Sequence, residues 1–336
     1  MHAGILPCSL RTEALKPERT LTMFHGILFA VLTGISWIWI GVVVSYASRH
    51  RLSLPVLQLF QTLIGITVSL LLLSGAALVQ TSGPELSAQT RAITAICLFG
   101  NGFLNYFMFL AMGAAMKRGP NGIIWSMVQS GLLFPFLMGI LFFHVAPTGP
   151  RIGGIALITA SLLLFGIGKQ KRKPEESETH RQEKSWFLYA LLAMVLCGIN
   201  QCCGNLPSYL SGGEQIGSVE RTFFAQTGTL GAWLTGSLAS GTFRSMKSAA
   251  RGELRKLLLL ALSLNAVGLT ASYLLFYRAL DFLAKADAGS LGYPLVVSSC
   301  IAGFFLYSAL ILHEKSSGTQ RAGFLLAIGG IVLLCR

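Results

Sequence analysis

From Phe24 to the last residues the sequence falls into successive apolar runs, and that pattern excludes most folds. Runs of about 18 residues or more are long enough to cross a hydrocarbon layer as helices, which satisfy their own backbone N–H and C=O groups. A transmembrane barrel would instead need apolar and polar residues alternating over stretches of about ten, and runs this uniform would fill its lumen with apolar side chains. The chain is 53% hydrophobic and 12% charged, with a mean hydropathy of +0.64. Water-facing proteins carry roughly a quarter charged residues. The expected fold class is therefore an all-α membrane protein.

The runs place ten transmembrane helices at 24–47, 55–79, 91–114, 121–143, 150–168, 186–210, 217–240, 255–279, 288–311 and 318–335. Residues 1–22 hold Arg11, Lys16, Arg19, Pro7 and Pro17 without an apolar core long enough for a cleaved signal peptide, and read as a disordered N-terminal tail, or as an over-called start with Met23 the true initiator. Connections are short except 169–185, a charged linker that opens Lys-Gln-Lys-Arg-Lys-Pro and divides five spans from five. This gives a first five-helix repeat at 23–168 and a second at 186–336.

The halves are related in sequence. A shift of 169 places Ser130 on Ser299, Phe136 on Phe305, His144 on His313, Gly149 on Gly318 and Gly154 on Gly323. Nearer the start of each half, Gly34-Ile35 matches Gly198-Ile199 and Gln61-Thr62 matches Gln226-Thr227. Repeats set the architecture before any local reading. Five spans per half bring the second half into the membrane from the opposite side, so the expected architecture is two inverted five-helix repeats about an axis in the membrane plane.

The net charge of +13 resides in connections between apolar runs, as in basic loops flanking membrane spans, so no nucleic-acid partner is expected. Seven cysteines, most of them inside spans, argue against a disulfide framework, and Cys197, Cys202 and Cys203 lack the paired spacing of a zinc site. No metal or cofactor is expected. Phosphate loops and hydrolytic motifs are missing too, so no catalytic residue is assigned and the chain is not read as an enzyme.

Uncharged polar groups in mid-span carry the functional reading, because each costs free energy in lipid unless paired or facing a water-filled cavity. Four inner spans hold pairs four residues apart, on one helix face: Asn101 with Asn105, Trp125 with Gln129, Gln201 with Asn205, and Tyr273 with Tyr277. Asn200 and Trp37 lie at matching depths. Amides and aromatic rings suit a polyhydroxylated or zwitterionic solute; the alternatives are amides that join helices and, for Trp125, a place in the interfacial belt. Arg278 either pairs with Asp281 or reaches into the cavity to bind a carboxylate or phosphate. His144 and His313 occupy equivalent helix ends, which repeat geometry explains without proton coupling. Pro135 predicts a kink in the fourth span.

Ten short spans in two inverted fives, with this patterning of the last two spans of each half, resemble the drug/metabolite transporter superfamily, in its EamA-type and sugar-transporter branches. Leu98-Phe-Gly-Asn-Gly-Phe-Leu-Asn-Tyr106, Met112-Gly113 and Gly119-Pro-Asn-Gly122 are similar to the third and fourth spans of rhamnose symporters. The resemblance covers 23–336 and implies a solute carrier. It further implies a cavity between the halves, lined by the first four spans of each, with the fifth and tenth outside. The first-span glutamate of small multidrug members has no counterpart in 24–47.

The expected function is a secondary transporter for a small polar organic solute, such as a sugar or amino acid, working by alternating access. The alternatives are a membrane-embedded flippase or enzyme and a non-transporting receptor subunit. Expected partners are the solute, the lipid bilayer and protons or a counter-solute, with a homodimer left open. The expected location is the cell membrane, multi-pass, of the bacterial inner-membrane type. Connections after odd-numbered spans hold 17 Lys and Arg against 9 elsewhere, which places the 169–185 linker in the cytoplasm and both termini outside.

Overall fold

The computed structural model describes residues 17–77, 87–143, 148–167, 179–206, 216–240, 251–269, 275–276, 278–279, 282–283, 292–314 and 316–334. Among these, regular structure is helical and no strand occurs. The helices are α1 (Pro17–Arg49), α2 (Leu54–Ala77), α3 (Ala88–Met116), α4 (Asn121–Gln129) and α5 (Leu133–Phe143), followed by α6 (Gly149–Ile167) and α7 (Thr179–Asn205). The second half continues with α8 (Ser218–Ser240), α9 (Arg251–Ser263), α10 (Gly292–Leu310) and α11 (Gly318–Leu334).

Five spans among the described residues are long and apolar enough to cross a membrane: Thr20–Arg49, Leu54–Gly75, Ala88–Met116, Asn121–Phe143 and Ser185–Gly204. Their outer faces carry large apolar side chains that water would penalise, including Leu71, Ile96, Leu141 and Phe142, each at least 66% exposed. Gly149–Phe165, Pro294–Leu310 and Gly318–Leu333 are shorter apolar helices. These features fit a helical membrane protein.

Two boundaries move. α1 begins at Pro17, inside the stretch expected to be tail, where a proline suits the first helical position because its missing N–H has no helical partner there. α7 begins at Thr179, inside the expected linker. The fourth span is broken as Pro135 requires. Pro135 cannot donate to the Gly131 carbonyl four residues back, and the 3-10 turn Ser130–Leu132 separates α4 from α5 at that point.

Packing is governed by close backbone approaches at glycine. α3 lies against α7 and α8, α1 against α10, α2 against α8, and α6 against α11. A Cβ on Gly102 would land on the Ala225 carbonyl, and one on Gly228 on the Phe99 carbonyl, so α3 and α8 meet at backbone distance. Between α6 and α11, a Cβ on Gly323 would sit 3.1 Å from the Ser161 carbonyl and one on Gly330 2.8 Å from that of Gly154. The 169-residue shift carries Gly154 to Gly323 and Ser161 to Gly330, so these two contacts are exchanged by it. Gly34 abuts Ser299 of α10, while its sequence counterpart Gly198 abuts Gly131 within the 3-10 turn and Phe134 just after it.

Gly102→Ala or Gly228→Ala must push α3 away from α8, at a cost of about 1–3 kcal/mol or more. Either variant is expected to melt several degrees lower in detergent, whereas Gly149→Ala, whose Cβ would meet nothing within 4 Å, is expected to melt like the parent.

Candidate solute cavity

A cavity of about 210 Å³ lies between the halves. α1 contributes Trp37 and Ile40, α2 Gln58 and Gln61, and α3 the face from Leu98 to Met112 that includes Asn101 and Asn105. Trp125 and Gln129 come from α4, Asn200 and Gln201 from α7, and Arg221, Gln226 and Thr229 from α8. Gly268, in the π-helical turn after α9, and Phe276 complete it. No described residue of α6 or α11 lines it, and neither does α10. α10 stands behind α1 because Gly34, Gly41 and Gly303 let the two helices close up, leaving Cys300 behind Gln129.

Asn200 is the centre of the polar wall. Its side-chain N–H donates to Asn105 Oδ1 at 3.0 Å, and Asn101 donates to both its Oδ1 and its main-chain carbonyl, the latter at 2.9 Å. The spacing of four that put Asn101 and Asn105 on one face thus lets one residue of α7 engage both. A second amide pair, Gln61 Nε2 donating to Gln226 Oε1 at 3.2 Å, joins α2 to α8 and links two residues that match in the sequence repeat. Asn265, in the π-helical turn Leu264–Leu269, donates to the Gln61 carbonyl at 3.1 Å. Other polar atoms lack such partners: Gln58 Oε1 and Gln201 Oε1 are buried without a hydrogen bond from the protein.

Of the residues expected at the site, Trp37, Asn101, Asn105, Trp125, Gln129, Asn200 and Gln201 line this cavity. Trp125 is 3% exposed and packs on Phe304 at 5.1 Å, which removes the interfacial-belt reading. Arg278 is exposed and does not line the cavity. Phe276 and the buried Ala279 take the inward face of that segment, and helical periodicity turns Arg278 away from it. The side chain of Asn205, together with Tyr273, Tyr277, Asp281 and His144, lies outside the described residues. Gln58, Gln61, Gln226, Thr229 and Arg221 were not among the expected site residues. The three-residue spacing of Gln58 and Gln61, which puts both on one face, was the signal for that pair.

The two ends differ. Glu314, in the turn between α10 and α11, accepts hydrogen bonds from Arg49 at the end of α1, from Asn121 and Gly122 N at the start of α4, and from Ser308 near the end of α10. Three connections meet on this one carboxylate, whose side chain is 12% exposed. The positive-φ non-glycine residues among those described, Arg51 and His313, flank it, a backbone cost that neighbouring contacts must hold in place. Arg118 over the Tyr189 ring puts the start of α7 at this end as well. Below Glu314, Val43, Val44, Ala47, Leu54, Met112, Met116 and Ile124 form a buried apolar layer. Cavity residues next to that layer, such as Gln58, Met112 and Val128, are buried, whereas Asn101, Asn105, Gln201, Arg221 and Thr222 towards the other end are partly exposed. Among the described residues, the cavity lining is thus buried towards the Glu314 end and partly exposed towards the opposite one.

Asn200→Ala removes the donor to the Asn105 carbonyl and one of the two acceptors of the Asn101 amide, interhelical bonds of roughly 0.6–2 kcal/mol each. That variant is expected to lose thermal stability. Gln129→Ala is expected to keep it, since the one contact of the Gln129 side-chain N–H is a weak approach to Cys300 Sγ at 3.9 Å, and to lower solute affinity instead. Melting curves and binding isotherms on the same preparations separate the two.

No family model matches this chain, and no curated protein matches it. A solved structure described as "Crystal structure of protein" is similar over 95% of this chain and 96% of its own, at 15% identity and a TM-score of 0.49.

Proposed function

We propose that this protein is a secondary transporter for a small polar organic solute, a ten-span membrane protein of the drug/metabolite transporter type. The observation that carries the reading is the amide-rich cavity between the two halves, whose described lining is buried towards one end and partly exposed towards the other. A carrier needs two conformations of similar energy, and opposed repeats supply them by exchanging the roles of their halves. Support for an inverted repeat comes from contacts that the sequence offsets interchange: Gly323–Ser161 with Gly330–Gly154, and the self-matched pair Gln61–Gln226. A cavity near 210 Å³ is below the roughly 300–1,000 Å³ of drug-sized sites, so the solute is small.

In this account the Glu314 cluster is the closed gate. The excess of Lys and Arg in the 169–185 linker and the other odd-numbered connections puts that gate on the cytoplasmic side. The conformation is then outward-facing. Opening inward requires Arg49, Asn121 and Ser308 to release Glu314 while helices close over Arg221 and Gln201.

Purified protein in liposomes preloaded with unlabelled sugars, amino acids or nucleosides is expected to accumulate the matching labelled solute by counterflow. The absence of counterflow for every class, in vesicles shown to be sealed, would rule the reading out. Orientation has its own test: alkaline phosphatase fused after Arg336 is expected to be active and green fluorescent protein dark.

A further inference from the structure

We infer that Gln58 sets what the carrier accepts: its side-chain carbonyl takes a hydrogen bond from an O–H or N–H donor of the solute at the buried end of the cavity. This rests on the transporter reading and adds the chemical group that the solute must present. Gln58 lines the cavity and is 2% exposed, and its Oε1 has no hydrogen-bond donor among the described residues. A buried carbonyl without a donor destabilises a fold, a cost that an apolar side chain of the same length would avoid.

The surroundings show that the helix contacts do not depend on this amide. Leu54, Gln58 and Gln61 recur at helical spacing on one face of α2, from the apolar layer below Glu314 to the bonded pair of Gln61 and Gln226. Gln61 joins two helices; Gln58, one turn earlier, joins none among the described residues. The register that puts Gln61 on Gln226 puts Gln58 on Phe223. The repeat therefore carries the joining amide in both halves and Gln58 in one.

A second carbonyl of this kind comes from the other half. Gln201 of α7 donates from its amide nitrogen to Cys197 Sγ at 3.3 Å, and its Oε1 is left without a donor among the described residues. Asn101, Asn105 and Asn200, by contrast, are bonded to one another. Both halves thus bring a spare acceptor to the cavity, and buried acceptors are satisfied by donors of an occupant. The hydroxyls of a sugar or polyol supply such donors, and so does the ammonium group of an amino acid. An ether or a fully alkylated ammonium supplies none.

The test uses full-length protein and probes that differ in one donor group: ribose against deoxyribose, glycerol against propanediol, and alanine against its trimethylammonium analogue. Binding isotherms and melting curves are taken on the same preparations of the parent, Gln58→Met and Gln61→Met. At least one donor-bearing probe is expected to bind the parent about ten-fold more tightly than its partner, and which pair responds tells hydroxyl from ammonium. Gln58→Met is expected to bring that ratio close to one and to melt no lower than the parent, since no bond is lost. Gln61→Met, which takes the donor from Gln226, is expected to melt lower. A Gln58→Met protein that melts several degrees lower or fails to fold makes Gln58 a helix joiner and overturns the inference. A ratio that survives Gln58→Met, or equal binding within every pair by the parent, overturns it too and leaves the transporter reading standing. Failure of every probe to bind or to exchange by counterflow overturns both.

Discussion

A side-chain amide between membrane-spanning helices costs free energy unless it is hydrogen-bonded or meets water, and the hydrogen bonds around Asn200 show how this chain meets that constraint. One residue of α7 accepts from Asn101 and donates to Asn105, so the two halves are joined across the cavity by polar bonds rather than by apolar packing alone. Interhelical bonds of this kind contribute roughly 0.6 to 2 kcal/mol each. That is strong enough to fix register and weak enough to be exchanged. The Gln61–Gln226 pair does the same between α2 and α8. Elsewhere the helices meet at glycine, where backbone-to-backbone approach adds dispersion contact that lipid tails cannot match. Glycine seams at α3–α8 and α6–α11 and amide pairs around the cavity are thus two kinds of contact that join the halves.

The ends of the cavity follow the same logic with charge. Glu314 is tolerable near the interior because donors from three elements converge on it, and each of those donors sits at a helix end rather than in mid-span. Such a cluster breaks as a unit: withdrawing Arg49 leaves a partly buried carboxylate short of a counter-charge. The left-handed backbone at Arg51 and His313 places strain beside these bonds.

Much of the helical framework was legible because apolar length and polar punctuation are one-dimensional signals. The amides at Asn101, Asn105, Gln129, Asn200 and Gln201 stood out against apolar neighbours, and spacing alone put the pairs on single faces. What the sequence hid is three-dimensional. Arg278 and Arg221 look alike as charges near span ends, and only the register of Phe276 and Ala279 against that of Gln226 and Thr229 turns one outward and the other inward. Glu314 reads as an ordinary turn acid, since its partners Arg49 and Asn121 lie far away in sequence. The start of α1 at Pro17 escaped because a charged first turn carries no apolar signal.

The central claim is that solute passes only when the Glu314 end opens, and a reversible lock across that end tests it most directly. A Cβ on Gly122 would lie 2.9 Å from Ser308 Cβ, so a cysteine pair there reaches the roughly 3.5–4.5 Å of a disulfide after a shift of about 1 Å. With Gly122→Cys and Ser308→Cys in a background free of other cysteines, oxidation is predicted to abolish counterflow and dithiothreitol to restore it, with solute binding retained in both states. Counterflow at the reduced rate in protein shown to be fully cross-linked would contradict the account.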